Sequence, residues 1–165
     1  MLKFIILITT VITLVSCDSK QVFDEYKNMP FGWKQKDSVS FKFDAPDTIY
    51  NYNLYVNIRN NNSYKFSNLF LIISLNYPNN KTVVDTLEYE MATKKGEWLG
   101  TGFSEIKENK LWYKELFKFK QEGEYRIGIT HANRKNGSIN GISELKGITD
   151  VGFRIEKNTT EKKAL

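Results

Sequence analysis

The thiol of Cys17 is the side chain in this sequence whose surroundings point to one particular reaction. It closes the stretch Leu14-Val15-Ser16-Cys17, at the end of an apolar run, Phe4–Val15, that follows a single cation at Lys3. A small residue before a cysteine fits the narrow subsite of a signal peptidase, and the thiol is the nucleophile that takes up a diacylglyceryl group before cleavage. The ending has the form of a lipobox, which makes Cys17 residue one of a mature, lipid-anchored chain. A membrane-spanning helix is the competing reading, but about 12 residues at 1.5 Å rise reach only ~18 Å against ~30 Å of hydrocarbon. An ordinary secretory signal would leave the one cysteine of the chain free in an oxidising compartment.

The remaining reactive side chains do not assemble into a catalytic set. His131 is the one histidine, and no HxxxH, CxxC or acidic loop of calcium spacing accompanies it, so a multi-histidine metal site is excluded. A serine hydrolase would need that histidine as base beside a G-x-S-x-G turn, which is lacking. Asp85, Glu88 and Glu90 offer carboxylates of the kind that cleave glycosides, but any strand pair of this composition offers as many. Gly96–Phe103 holds three glycines outside a strand-to-helix context and is no phosphate cradle. The expectation is a protein that is not an enzyme and needs no cofactor or metal.

What must position these groups is a set of short strands. Val22–Tyr26 reads as a first edge strand, and Met29–Trp33 carries turn signals ahead of Trp33. In Asp37–Phe43 the residues Val39, Phe41 and Phe43 share one face. From Tyr50 to Asn60 the even positions Tyr50, Tyr52, Leu54, Val56 and Ile58 are apolar and the odd ones Asn51, Asn53, Tyr55, Asn57 and Arg59 almost wholly polar, a period of two that no helix can use. On that pattern Val56→Asp should be severely destabilising and Asn57→Asp should cost under about 0.5 kcal/mol. Leu69–Leu75 is a continuous apolar run suited to a central strand, and Pro78-Asn79-Asn80 turns it into a hairpin with Thr82–Met91. Asp85 shares the inward face of that return strand with Val83, Leu87 and Tyr89, where a carboxylate needs a partner. Gly96–Phe103 crosses between sheets. Leu111, Tyr113, Phe117 and Phe119 then share a face, as do Tyr125, Ile127, Ile129 and His131, and finally Val151, Phe153 and Ile155. Asn133–Gly147 reads as a long loop with one helical turn at Ile142–Leu145.

About eight strands with polar turns and no helix of three turns predict an all-β fold, an antiparallel β-sandwich that is jelly-roll-like or immunoglobulin-like. The expected organisation is a lipoprotein signal peptide over 1–16, a lipid-anchored tether over 17–21, one sandwich domain over 22–157 and a polar tail over 158–165. Of 165 residues, 24 are Lys or Arg and 19 Asp or Glu, with no long run of one sign. That excess suits solubility and weak attraction to anionic lipid or polysaccharide, and it excludes a nucleic-acid stripe. With one cysteine no disulfide can form within the chain, so apolar burial and backbone hydrogen bonds carry the stability.

Several pieces in their order resemble a known family. They are Cys17; Gly32-Trp33 with Asp37-Ser38-Val39; Ile58-Arg59-Asn60 with Tyr64 and Asn68-Leu69; Trp98-Leu99-Gly100-Thr101-Gly102; Gly123-Glu124-Tyr125 leading to His131; and Leu145–Gly152. Together they resemble the gliding-motility lipoprotein GldH family of Bacteroidota, across nearly the whole stretch from Cys17 to Lys157. The resemblance implies a non-enzymatic cell-envelope protein anchored by lipid on Cys17, in the outer membrane, serving gliding machinery linked to type IX secretion and docking other proteins of that machinery. Ala132-Asn133-Arg134 departs from the family's Met-Arg after the histidine. In such bacteria Asp-Ser/Thr-aliphatic triplets signal O-linked glycans on exported proteins, which marks Ser38, Thr48 and Thr86. The alternative is a surface lipoprotein that binds glycans, with Trp33, Trp98 and Trp112 as stacking platforms.

Overall fold

A computed structural model describes residues 18–135 and 137–159. Ten strands follow in chain order: β1 Gln21–Asn28, β2 Trp33–Lys34, β3 Val39–Asp44, β4 Asn51–Asn60, β5 Asn68–Asn76, β6 Thr82–Glu90, β7 Lys107–Lys118, β8 Glu124–His131, β9 Glu144–Leu145 and β10 Ile148–Lys157. Two four-stranded antiparallel sheets, β1-β10-β4-β7 and β3-β8-β5-β6, face each other, and a two-stranded ribbon joins β2 to β9. The expected sandwich is therefore present. β5 is central, between β8 and β6, as its continuous apolar run predicts, and β1 is an edge.

The core lies where the alternation puts it. Val39, Phe41 and Phe43 from β3 meet Phe153 from β10 and Tyr125 from β8; Leu54, Val56, Ile58, Leu71, Ile73 and Ile129 are fully enclosed. Among the described residues the core runs from Phe23 to Ile155. Where the two sheets gape, beside the edges β6 and β7, side chains staple them. Asp85 Oδ2 accepts from Tyr113 Oη at 2.9 Å and from Lys114 Nζ at 2.8 Å, and Tyr89 Oη donates to the Trp112 carbonyl. Lys114, followed by Tyr113, holds the Asp85 carboxyl below its ordinary value, and burial raises the Tyr89 hydroxyl to about 12. This is the partner that an inward carboxylate requires.

Two expectations are corrected. Ile142–Leu145 forms no helical turn. Glu144–Leu145 is the strand β9, in register with Lys34 and Trp33, because Leu145 and Trp33 bury their side chains completely and their backbone groups then need each other. The odd face of β4 is also not open to water: Asn57 is 2 % exposed and Tyr55 5 %. A polar layer covers that face. The Tyr26 ring lies over Gly152, the neighbour of Asn57 in the sheet, and its hydroxyl accepts from Asn57 Nδ2 at 2.8 Å and donates to Glu108 Oε1 at 2.7 Å. Arg59 closes the group with its Nε 3.0 Å from Glu108 Oε2 and its guanidinium 4.1 Å from the Tyr26 ring centre.

Candidate functional site

The strand directions place the chain's features at two ends of the sandwich. The starts of β1 and β4 and the ends of β7 and β10 lie at the end where the chain enters. The ends of β1, β4, β6 and β8 and the starts of β5, β7 and β10 lie at the other, here called the distal end. Almost every piece that carries the family resemblance gathers at the distal end, although the pieces are scattered over more than a hundred positions.

The distal end is built around buried polar anchors. Trp33 is enclosed, its indole Nε1 donates to the Asp37 carbonyl at 3.0 Å, and its ring meets His131 edge-on at 5.3 Å between centres. His131 Nε2 lies 3.0 Å from the Trp33 carbonyl, so Nε2 carries a proton, while Nδ1 is buried with no acceptor for a second one. Burial pushes the imidazole pKa down, which fits a structural histidine and adds stability that is lost as the pH falls below the ordinary imidazole range. Asn133 accepts the Phe70 backbone N–H at 2.9 Å and donates to the Asn68 carbonyl, to which Tyr64 Oη also donates at 2.7 Å. Trp98 leans on Tyr64 and donates from Nε1 to Asn62 Oδ1 at 3.3 Å. These side chains tie together β2, the connection that follows it and the start of β5, and the result is a platform at this end.

On that platform the loops turn apolar side chains outward. Phe31 is 84 % exposed, Phe103 102 % and Ile139 91 %, with Leu99 and Ile106 about half exposed. They come from three separate connections at one end of the sandwich, and several large apolar groups exposed at one end mark an interaction surface more strongly than single ones do. Beside them a cleft of about 740 Å³ is lined by Lys65, Phe66, Lys135, Ile142 and Lys146, among others.

The outer face of the first sheet holds a second cluster that the sequence reading did not find. Arg154 on β10 donates to Asp24 Oδ2, Glu156 Oε1, Gln21 Oε1 and Asp18 Oδ2, and Lys110 reaches Glu156 Oε1 at 2.7 Å. Burial raises the Glu156 carboxyl, but Lys110 and Arg154 outweigh it and hold the group below its ordinary value. A depressed carboxylate contributes stability above its unfolded value and loses it as pH falls through the folded one, so this network weakens below about pH 4. Among the described residues no group of three His, Cys, Asp or Glu side chains is placed to hold a metal ion.

Of the residues singled out in the sequence, Cys17 lies outside the described ones, as does the expected tail from residue 160 on. Ser38 is exposed just before β3, Thr48 is half-buried in the loop before β4, and Thr86 is exposed on the outer face of β6, opposite Ile72. The structure does not bring these three together. Trp33 is core and Trp98 is half-covered, which leaves Trp112, 51 % exposed and 4.5 Å from the Tyr55 ring centre, as the open indole face.

Comparison with known proteins adds to this geometry. Residues 21–155 match the family described as GldH lipoprotein. The chain is similar to the gliding motility lipoprotein GldH homolog of Christiangramia forsetii, at 52 % identity over 93 % of this chain and 94 % of that one. It is similar also to the gliding motility lipoprotein GldH of Flavobacterium johnsoniae, at 51 % identity over 92 % of this chain and 94 % of that one. Among solved structures, the VP2 subviral particle of infectious bursal disease virus overlaps 86 % of this chain and 34 % of its own, at 16 % identity and a TM-score of 0.35, too low to bear on fold or function.

Proposed function

Because the chain belongs to the GldH lipoprotein family, we propose that it is a lipid-anchored part of the gliding machinery, in the outer membrane and linked to type IX secretion, that works by docking other envelope proteins and not by catalysis. The observation that carries this reading is the distal end: a platform fixed by Trp33, His131, Asn133 and Tyr64 that presents Phe31, Phe103 and Ile139 to solvent. Exposed large apolar groups suit protein docking, since a partner that covers them removes apolar surface from water. The glycan-binding alternative rests on Trp112 alone.

The test is cross-linking in cells. A photo-reactive residue at Phe103 or Ile139 is expected to capture gliding or secretion components of the envelope, whereas the same group at Val84, 60 % exposed on the outer face of the second sheet, is expected to capture none. Equal capture from all three positions would remove the distal end from the reading. Binding of sugars that Trp112→Ala abolishes would favour the alternative.

The anchor is a separate claim with its own measurement. We propose that Cys17 takes up a diacylglyceryl group and then becomes residue one when residues 1–16 are removed. Cys17→Ser takes away the thiol that forms the thioether, so the chain is expected to stay at precursor size; mature-sized protein in the detergent phase would overturn the assignment. Intact mass of the native protein reads the acyl groups, and mass in excess of them that Ser38→Ala, Thr48→Ala or Thr86→Ala removes would place O-linked glycans. A mass equal to the acylated polypeptide would dismiss the glycans.

A further inference from the structure

The end at which the chain enters the sandwich carries a row of lysines. The Lys20 carbonyl accepts the Lys157 backbone N–H at 2.9 Å, Lys157 stands opposite Tyr52 on β4, and the neighbouring Asn51 stands opposite Lys118 on β7. Lys20, just before β1, and Lys157 on β10 thus lie next to each other on strands ~4.8 Å apart, and Lys118 on β7 lies beyond β4, about two strand spacings from Lys157, along the lip of the first sheet. Next to them Lys81, Lys118 and Lys120 line one cleft, of about 600 Å³, together with Leu116 and Phe117.

Among the described residues none of Lys20, Lys81, Lys118, Lys120 and Lys157 forms an ion pair, and Lys157 instead caps the Tyr50 ring at 3.2 Å. The acids of the same end keep their charge, and Asp47 lies near enough to Lys157 for the two charges to interact. Asp47 accepts from the Tyr52 hydroxyl and from the backbone N–H groups of Ile49 and Tyr50, and Glu124 is held by Lys42 and Arg126. Asp44, Glu115 and Glu122 remain. Two large apolar side chains stand out among the lysines, Ile49 at 72 % and Leu116 at 50 % exposure. Leu116 sits at φ 51°, its N–H donated to Asn53 Oδ1 at 3.1 Å. A leucine rarely adopts that left-handed conformation, and the bulge there leaves it facing solvent.

We propose that this lysine-bearing lip docks on the headgroups of an anionic phospholipid bilayer, with Ile49 and Leu116 at the level of the acyl boundary. Scattered cations with apolar side chains between them are the chemistry that such a surface recognises. The path of the chain agrees with it. The described chain begins at Asp18, held by Arg154 on the outer face of the first sheet, and Lys20 is fixed to Lys157, so the lip is the end of the sandwich nearer the start of the described residues. The inference rests on Cys17 being acylated for its orientation, and it directs the distal end away from the bilayer.

Flotation of the leaderless chain, residues 18–165, with vesicles tests it, since that chain keeps every described strand and core residue. Vesicles of phosphatidylcholine with about a quarter phosphatidylglycerol are expected to bind the protein, and phosphatidylcholine vesicles are not. The triple variant Lys81→Gln, Lys118→Gln, Lys120→Gln should lose affinity about a hundredfold, at about fivefold per lysine near an anionic surface. The distal triple variant Lys94→Gln, Lys95→Gln, Lys135→Gln, equal in charge, should stay within about twofold of the parent. Equal losses in both variants, or no loss in the first while its thermal unfolding matches the parent, would overturn the proposal. Intact mass separates the two readings. Lysine-dependent flotation with no acyl group on Cys17 in the native protein supports the lip and removes the anchor, and an acylated Cys17 with lysine-independent flotation removes the lip.

Discussion

Val56→Asp is expected to destabilise the domain by about 4 kcal/mol or more, enough to lower the melting temperature by more than about 10 °C. Val56 is fully enclosed, with Phe153 and Leu111 opposite it on the two flanking strands. A carboxylate there meets no donor. One residue on, Asn57→Asp is expected to cost about 1–2 kcal/mol, more than a solvated position would, because the change removes the donor that Tyr26 Oη accepts and brings a second carboxylate toward Glu108. The Tyr26 hydroxyl has one proton and can serve only one of them. That deficit should shrink as the pH falls through the carboxylate range, since protonation returns a donor, whereas the Val56→Asp deficit should persist in part because the neutral acid is still buried unpaired. Melting curves of both variants across pH 4 to 8 read the difference. An Asn57→Asp protein as stable as the parent would mean that the outer face of the first sheet is open to water.

The contrast between these neighbours shows what a strand's own pattern conveys. Alternation along Tyr52, Leu54, Val56 and Ile58 locates the core face because it reports which side chains leave water, and antiparallel strands with turn residues between them carry that signal locally. The opposite face is different. Asn57, Arg59, Glu108, Arg154 and Glu156 each look like ordinary solvated residues, and they become a covered network only once β10 is known to lie between β1 and β4. Strand order is a property of pairs, so no single strand displays it. The β2–β9 ribbon fails for a related reason: two residues have no period, and Ile142 and Leu145 at a spacing of three mimic a helical turn until Trp33, more than a hundred positions away, supplies the partner.

The candidate site divides along the same line. Cys17 is legible because its chemistry is written in a contiguous stretch, apolar run, small residue and thiol. The distal pieces, Gly32-Trp33, Tyr64, Trp98 and His131, are visible one by one, but that they share one end follows from strand directions. Their division between buried support and exposed contact is also not local: Trp33 and Phe31 are two positions apart, one fully enclosed and the other 84 % exposed. The lysine lip is harder still, because Lys20, Lys118 and Lys157 belong to three different strands or their flanks and are ordinary lysines in every local respect.

Gly147→Ala is expected to be the other severe substitution, with a loss of about 3 kcal/mol or more, whereas Gly96→Ala should lose only about 1. Both glycines hold a left-handed backbone, at φ 85° and 84°, so the conformational penalty for adding a side chain is the same. Their surroundings differ. A Cβ on Gly147 would lie 2.1 Å from the Tyr64 backbone nitrogen and 2.6 Å from the Ser63 carbonyl carbon, while one on Gly96 would meet nothing within 4 Å. The Tyr64 loop has no easy retreat. The Asn61 N–H is bound to the Gly147 carbonyl at 2.8 Å, the Tyr64 N–H to the Asn61 carbonyl at 3.1 Å, and the Tyr64 ring is buried with its hydroxyl on the Asn68 carbonyl. Relief of the overlap must therefore break a hydrogen bond or move a buried aromatic, and either disturbs the platform under Trp98. Urea unfolding of the two variants measures the difference, and hydrogen exchange at the Tyr64 and Asn61 amides should accelerate in Gly147→Ala alone. Equal losses in both variants would show that the backbone conformation, and not the close approach of the two loops, is what requires glycine at 147.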